Sequence, residues 1–359
     1  MDNRIIRNRI KAVRQLLNKN KTDSLVVAKP ANVTYITGFC GHDSWAVITA
    51  NAVYLLTDSR YTEQAENQCL PCRIISRTGS MTETVAKLVK RLKSAESIAV
   101  EKSIPLAAFE QLKRHISTRL KTASDIIEQL RSSKDTGEIA AIRTASVIAA
   151  RALVQSRPNI KQGMTENELA GMLDLQIRRL GAINSFETIV AFGANASCPH
   201  HQPTARKLKK NDSILIDFGV RYKSYCCDIT RCFGIGKMTP FYKKVYNAVQ
   251  QAQTAAIKTV RAGVEKSKVD AAAREVIKKH GLPVYGHGTG HGLGLEIHEE
   301  PVISSQSKGK LKVGEVITIE PAVYIPGRVG IRIEDDVLVT ETGCRILSRN
   351  YLQLPLLLT

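Results

Sequence analysis

Five residues of metal-binding type stand in the second half of the chain, in the order Asp217, Asp228, His291, Glu320 and Glu334. Hard divalent cations take oxygen ligands and imidazole adds a borderline donor, so four carboxylates and one histidine suit manganese, cobalt, iron or zinc. Four ionised carboxylates cancel the charge of two such ions, and water bridging ions roughly 3.5 to 4 Å apart loses a proton near neutral pH. The set points to a two-metal hydrolase whose nucleophile is a bridging hydroxide. A lone acidic residue at a strand end is ordinarily just solvated. Five in this pattern are not explained that way.

His291 lies in the most unusual segment of the chain, Gly286-His-Gly-Thr-Gly-His-Gly-Leu-Gly-Leu-Glu-Ile-His298. Alternating glycines let backbone approach a ligand closely, which makes a phosphate loop the rival reading. The spacing refutes it. Leu293 occupies the third glycine position of a dinucleotide fingerprint begun at Gly288, and no Lys-Ser/Thr pair follows. The zincin pattern also fails, because its second histidine is missing. His287, His291 and His298 cannot all ligate if four carboxylates fill two metal sites. One is a ligand, and the others are free to hydrogen-bond a carbonyl oxygen or a tetrahedral intermediate.

Positioning such a set needs strands. Asp217 ends the apolar run Ser213-Ile-Leu-Ile-Asp217-Phe-Gly219, and Asp228 follows a turn through Arg221-Tyr-Lys-Ser224, which predicts opposed positions on an antiparallel hairpin. Facing side chains there sit about 4.5 to 5.5 Å apart. Glu320 and Glu334 are equidistant from Gly327, the turn residue of a second hairpin. Around these strands, Thr165 with Glu168 forms a capping box opening a helix that Gly181 stops, and 241–260 and 269–279 have helical spacing. The second domain reads as a sheet backed by helices. Before it, Arg4 to Leu17, Thr82 to Leu92 and Leu106 to Ile116 have helical spacing, and Ser24–Val27 and Val53–Thr57 read as strands, an α/β unit. The stretch from Ile126 to Arg157 turns helical, ends at Pro158 and carries the domain junction.

A chain of 359 residues exceeds the usual single core, and 43% hydrophobic with 24% charged residues describes an ordinary globular protein. We divide it into an N-terminal α/β domain, 1–130, and a catalytic domain, 131–359. The net charge of +19 is spread over both halves; only Arg206-Lys-Leu-Lys-Lys210 is locally dense, and it lacks interleaved aromatics. No specific nucleic-acid partner is expected. The eight cysteines have no disulfide-like regularity, and Cys69-Leu-Pro-Cys72 has no matching second pair, so reduced structural thiols are expected. Scattered charges at the N-terminus break up any secretory apolar region, and no stretch has transmembrane length, which predicts a cytoplasmic protein away from membranes.

Asp in Ile-Asp-Phe-Gly, Asp in Cys-Asp-Ile-Thr-Arg, His in Gly-Thr-Gly-His-Gly-Leu-Gly, Glu in Ile-Glu-Pro and Glu in Arg-Ile-Glu-Asp together resemble the pita-bread-fold metallopeptidases. Asn32-Val-Thr-Tyr-Ile-Thr-Gly-Phe39 and Tyr54-Leu-Leu-Thr-Asp58-Ser-Arg-Tyr61 resemble the N-terminal domain of the proline-specific branch, prolidase and aminopeptidase P. The resemblance implies a creatinase-like α/β domain of oligomerising or site-covering role, then a catalytic domain with a curved, mainly antiparallel sheet backed by helices. It implies an enzyme that cleaves the Xaa-Pro bond at the N-terminus of peptides or in dipeptides. The alternatives are methionine-aminopeptidase-type activity, or a metal-poor member that binds peptides or nucleic acid. The cofactors implied are two divalent ions, manganese or cobalt ahead of zinc or iron, and the partners a proline-containing peptide and a second copy of the chain. Carried over, Asp217 binds one metal, Asp228 and Glu334 bridge both, and His291 and Glu320 hold the other, with Glu320 also the proton shuttle. His200 matches a substrate histidine, with His201 the adjacent alternative, and His287 and His298 match the remaining pair. Arg332, two positions before Glu334, supports the ligands or binds substrate. Gly41-His-Asp-Ser-Trp45 is the loop that would reach a partner's site.

Overall fold

The computed structural model describes residues 3–69, 71–92 and 97–348, together with the backbone of Leu357 and Leu358. The chain forms two compact units, Met1–Arg131 and Ser132–Thr359.

The first unit alternates helices and strands: α1 (Asn3–Lys19), β1 (Ser24–Val27), α2 (Pro30–Thr37), β2 (Trp45–Thr49), β3 (Val53–Thr57), α3 (Thr62–Gln68), β4 (Arg73–Ser76), α4 (Met81–Arg91), β5 (Ser97–Glu101), α5 (Leu106–His115), β6 (Arg119–Ala123) and α6 (Ile126–Ser132). Its sheet runs β4-β3-β2-β1-β5-β6, antiparallel between β1, β2 and β3 and parallel elsewhere. Trp45, expected in a loop, instead opens β2 opposite Leu56. Glu101 ends β5 and accepts hydrogen bonds from the backbone of Ala28 and Lys29, at 2.7 and 2.8 Å, and from Asn32 Nδ2 at 2.6 Å. Burial pushes its carboxyl above the ordinary value while these donors pull it down. The bonds pin the start of α2 to the end of β5.

The second unit opens with α7 (Thr136–Ser156), so the helical run expected over 126–157 is broken. Asp135 caps α7 with a capping box to Glu138, and an N-cap requires non-helical backbone, which separates α7 from α6. Then follow α8 (Glu166–Arg179), β7 (Ile183–Asn184), β8 (Ile189–Phe192), β9 (Ser213–Phe218), β10 (Val220–Tyr222), β11 (Tyr225–Cys226), β12 (Ile229–Ile235), α9 (Pro240–Thr259), α10 (Lys266–Lys279), β13 (Gly290–Gly292), β14 (Glu299–Ile303), β15 (Val316–Ile319), β16 (Ala322–Ile325), β17 (Val329–Arg332), β18 (Asp335–Val339), β19 (Cys344–Ile346) and β20 (Leu357–Leu358). The sheets are β20-β12-β9-β8, β14-β13-β15-β18-β19, β11-β10-β7 and the hairpin β16-β17, antiparallel apart from the β12–β20 pair. Helices α7 and α8 bury Leu153, Leu169 and Leu173 against β9 and β12, while α9 and α10 bury Val249 and Ile277 against β15 to β18. No described helix is long and apolar enough to cross a membrane.

Thr165 accepts from the Glu168 amide and Glu168 reaches back to the Thr165 amide at 2.7 Å, the capping box expected for α8. Thr165→Ala is expected to cost about 1 kcal/mol of stability. Urea unfolding measures it as a lower midpoint at unchanged slope; an unmoved midpoint would show the cap to be idle.

Candidate functional site

Strand register brings the acidic residues together. β9 pairs β12 with Thr230 opposite Asp217, so Asp228 falls just before β12, a diagonal neighbour of Asp217 and not its opposed partner. The expected symmetric hairpin is thus shifted. Its turn is the two-residue loop Lys223–Ser224, both in the left-handed region that such tight hairpins need, and this moves the register by two residues. The second hairpin keeps the expected register. Ala322 faces Arg332 and Ile319 faces Asp335, and the shared register sets Glu320 across from Glu334, with Gly327 at φ 68° in the turn.

The glycines around His291 serve this packing. A Cβ on Gly290 would stand 1.9 Å from the Thr318 carbonyl, and one on Gly292 2.2 Å from that of Glu300. Only glycine lets β13 lie this close to its neighbours, with the His291 imidazole on the cavity side.

Asp217, Asp228, His291, Glu320 and Glu334 all line one cavity of about 590 Å³, with His200, His201, His287, His298, Tyr324 and Arg332. Asp228, His291 and Glu334 each offer a ligand atom within 4.8 Å of the others. His291 Nε2 lies 3.7 Å from Asp228 Oδ2 and 3.5 Å from Glu320 Oε1. Asp217 accepts from Arg332, its Oδ2 2.5 Å from Nη2.

Asp217, Asp228 and Glu334 are 8%, 5% and 2% exposed. Burial, reinforced by Glu334 and Asp217, drives the Asp228 carboxyl well above its ordinary range, and burial with Glu320 and Asp217 does the same to Glu334. Burial pushes Glu320 up to about 7, and pushes His291 down to about 4, which leaves its imidazole neutral and ready to ligate. Asp217 Oδ1 and Asp228 Oδ1 are buried without a hydrogen-bond partner. Orphaned carboxylate oxygens, mutual repulsion and a neutral imidazole are what a site for divalent cations requires, and this donor set could hold them.

The remaining histidines separate by their partners. His201 Nε2 lies 2.9 Å from Glu166 Oε2, and the buried Glu166 also accepts from Phe192 N, Asn195 Nδ2 and Thr204 Oγ1. His201 is thereby tied to the scaffold, whereas its neighbour His200 is exposed and lines the cavity. His287 has Nδ1 2.7 Å from the Gly288 carbonyl and Nε2 3.3 Å from the Tyr324 hydroxyl; burial lowers its pKa to about 4. The His298 ring meets that of His291 edge-on at 4.5 Å.

Three polar residues of the site were not singled out from the sequence. Thr230 donates to Glu334 Oε2 at 2.6 Å and accepts from Arg332 Nε at 3.1 Å. Tyr324 receives Arg332 Nη1 at 2.5 Å. Asp336 accepts the Asp228 amide and Ser146 Oγ. Thr230 and Asp336 stand two residues after Asp228 and Glu334, so strand alternation was the available signal.

In the metal-free protein, the folded state retains protons on Asp228, Glu320 and Glu334 that the unfolded chain releases. The stability this confers is present below the ordinary carboxyl range and is lost as pH rises through the folded value. The chelated protein is therefore expected to lose thermal stability from about pH 4.5 to about pH 7, with manganese removing that slope. Glu334→Gln should stabilise the chelated form and weaken the response to manganese. Thermal denaturation across the window with chelator or manganese checks both, and a flat chelated profile would contradict the account.

Residues 140–341 match metallopeptidase family M24, and 9–133 match the creatinase/prolidase N-terminal domain. An uncharacterised peptidase of Bacillus subtilis is 34% identical over 345 residues, covering 95% of this chain and 98% of the relative. The Xaa-Pro dipeptidase of Pyrococcus horikoshii is 31% identical over 350 residues, covering 96% and 98%. Among solved structures, the Xaa-Pro dipeptidase of Bacillus anthracis superposes with TM-score 0.94 at 31% identity, covering 98% of this chain and 100% of that one. The X-Pro aminopeptidase of Thermotoga maritima gives 0.88 at 35%, covering 96% and 99%.

Proposed function

The chain belongs to metallopeptidase family M24, and from that premise we propose that it is a dinuclear metal-dependent exopeptidase hydrolysing the Xaa-Pro bond, at the N-terminus of peptides or in dipeptides. The observation that carries this reading is the gathering of Asp228, His291 and Glu334 within 4.8 Å, flanked by Asp217 and Glu320 in a cavity that also holds three further histidines able to meet substrate. Relatives named as an Xaa-Pro dipeptidase and an X-Pro aminopeptidase bracket the substrate range.

In this reading Asp217 would hold one divalent ion, His291 and Glu320 would hold the other, and Asp228 and Glu334 would serve both, with manganese or cobalt preferred to zinc or iron. When bound, the ions supply Lewis acidity to the scissile carbonyl and make water acidic near neutral pH. The chain's own residues do the rest. Glu320, a carboxylate at the edge of the cluster and lining the same cavity, would take the proton of the attacking water and deliver it to the leaving prolyl nitrogen. Delivery is essential, because an amide nitrogen departs as an amine only once it has been protonated. The prolyl nitrogen is in addition a tertiary amide without N–H, in a ring that fixes the backbone, and needs a dedicated pocket. His287, kept neutral by its burial, together with His298 and the exposed His200, contacts the carbonyl and the residue on the leaving side. Arg332 touches Asp217, Thr230 and Tyr324 together and fixes the edge of the carboxylate cluster. The N-terminal unit serves as an oligomerising, site-covering module, and a solution mass of about twice 39.5 kDa tests the homodimer.

With manganese or cobalt, turnover is expected on Xaa-Pro and Xaa-Pro-Yaa peptides and not on Met-Ala. Glu320→Ala should abolish it, and His298→Ala should lower the rate on the order of a hundredfold with metal content intact. Steady-state assays paired with metal analysis decide; full activity in Glu320→Ala would sink the assignment, and preferred cleavage of Met-Ala would move the protein to the methionine branch.

A further inference from the structure

The segment carrying His287 has little regular structure to hold it. Residues 282–289 precede β13 outside any strand or helix, and Gly286 and Gly288 flank the histidine. Glycine on both sides gives the backbone freedom that something else must remove.

We propose that Arg274, oriented by Asp270, is the positioning residue that sets His287 and the backbone of Glu320 for the reaction without touching substrate. The two lie one turn apart on α10, and Arg274 Nε donates to Asp270 Oδ2 at 2.6 Å. The rest of the guanidinium is spent on the histidine segment. Nη1 donates to the Tyr285 carbonyl at 2.8 Å and Nη2 to the His287 carbonyl at 2.6 Å, and the group lies 4.5 Å from the Tyr285 ring centre. Asp270, 0% exposed, uses its other oxygen on Thr289, accepting from Oγ1 at 2.7 Å and from the amide at 3.2 Å. One ion pair thus grips the backbone on both sides of Gly288, at the carbonyls of 285 and 287 and at the amide of 289.

The grip reaches two functional groups. The Tyr285 ring lies 4.9 Å from the His287 ring and its hydroxyl is 2.6 Å from Thr289 Oγ1, so the imidazole is set by a wall that the clamp holds. The Thr289 carbonyl accepts the Glu320 amide at 2.8 Å. A guanidinium can satisfy three acceptors in one plane, whereas an ammonium on a flexible stem cannot hold that fork, so Arg274→Lys keeps the charge and loses the geometry. The inference rests on the reading that His287 meets the substrate.

The test uses the full-length manganese-loaded enzyme with an Ala-Pro-Ala peptide. Arg274→Lys is expected to lower kcat on the order of tenfold to a hundredfold, with KM within about threefold, metal content unchanged and a cooperative thermal transition retained. In a His287→Ala background the same change should add less than about threefold, because a residue acting through another is not additive with it. Histidine-ring NMR of the metal-free protein should show the His287 resonance moved in Arg274→Lys. Unchanged kcat, multiplicative effects in the double variant, an unmoved His287 resonance or loss of metal would each overturn the proposal. An active wild type with any of these results defeats the clamp alone. A wild type inactive on every Xaa-Pro peptide defeats the underlying reading instead, and the inference with it.

Discussion

Like charges gathered out of water are the constraint on which this structure turns. Asp217, Asp228 and Glu334 are buried side by side with Glu320 at the edge, and burial and mutual repulsion hold back ionisation of Asp228, Glu334 and Glu320. A fold does not assemble such a cluster for stability, since each unpaired buried carboxylate opposes folding. The cluster persists because its surroundings fix it. Thr230 ties Glu334, the Asp336 carboxyl holds the Asp228 amide, and Arg332 neutralises Asp217. Divalent cations are the natural counter-charge for what remains.

The surrounding fold supplies rigid backbone for that purpose. Strands fix carboxylates better than loops do, because ladder hydrogen bonds set the register and alternation sets the face. Asp217 belongs to β9, His291 to β13, and Asp228, Glu320 and Glu334 sit at strand ends where the backbone is still held but the side chains clear the sheet. The helices behind bring polar support as well as apolar cover. Ser146 on α7 reaches Asp336, Glu166 at the start of α8 binds the segment with His201, and Arg274 on α10 binds the segment with His287.

The two histidine-bearing segments share a design. Each is irregular and each is held by a charged side chain projecting from a helix of the same unit. Glu166 gathers donors from Phe192, Asn195, His201 and Thr204, and the Asp270–Arg274 pair gathers acceptors and donors from Tyr285, His287 and Thr289. Ionic groups with several partners each, as here, favour one conformation of the segments they hold.

The order and types of the five residues, the capping box at Thr165 and the Gly327 hairpin follow from the sequence because each depends on local spacing, and local spacing survives folding unchanged. The glycine-rich run was legible as a close backbone approach, though not which backbones approach. Tertiary structure decided the rest. The offset between Asp217 and Asp228 depends on where a two-residue turn settles, and the break between α6 and α7 on an N-cap overriding a continuous helical pattern. Adjacent His200 and His201 are equivalent by position, and only Glu166, far away in sequence, ties one and leaves the other exposed. Tyr324, Thr230 and Arg274 matter through contacts between distant segments, and a one-dimensional pattern carries no record of those until the strands and helices have closed around the carboxylates.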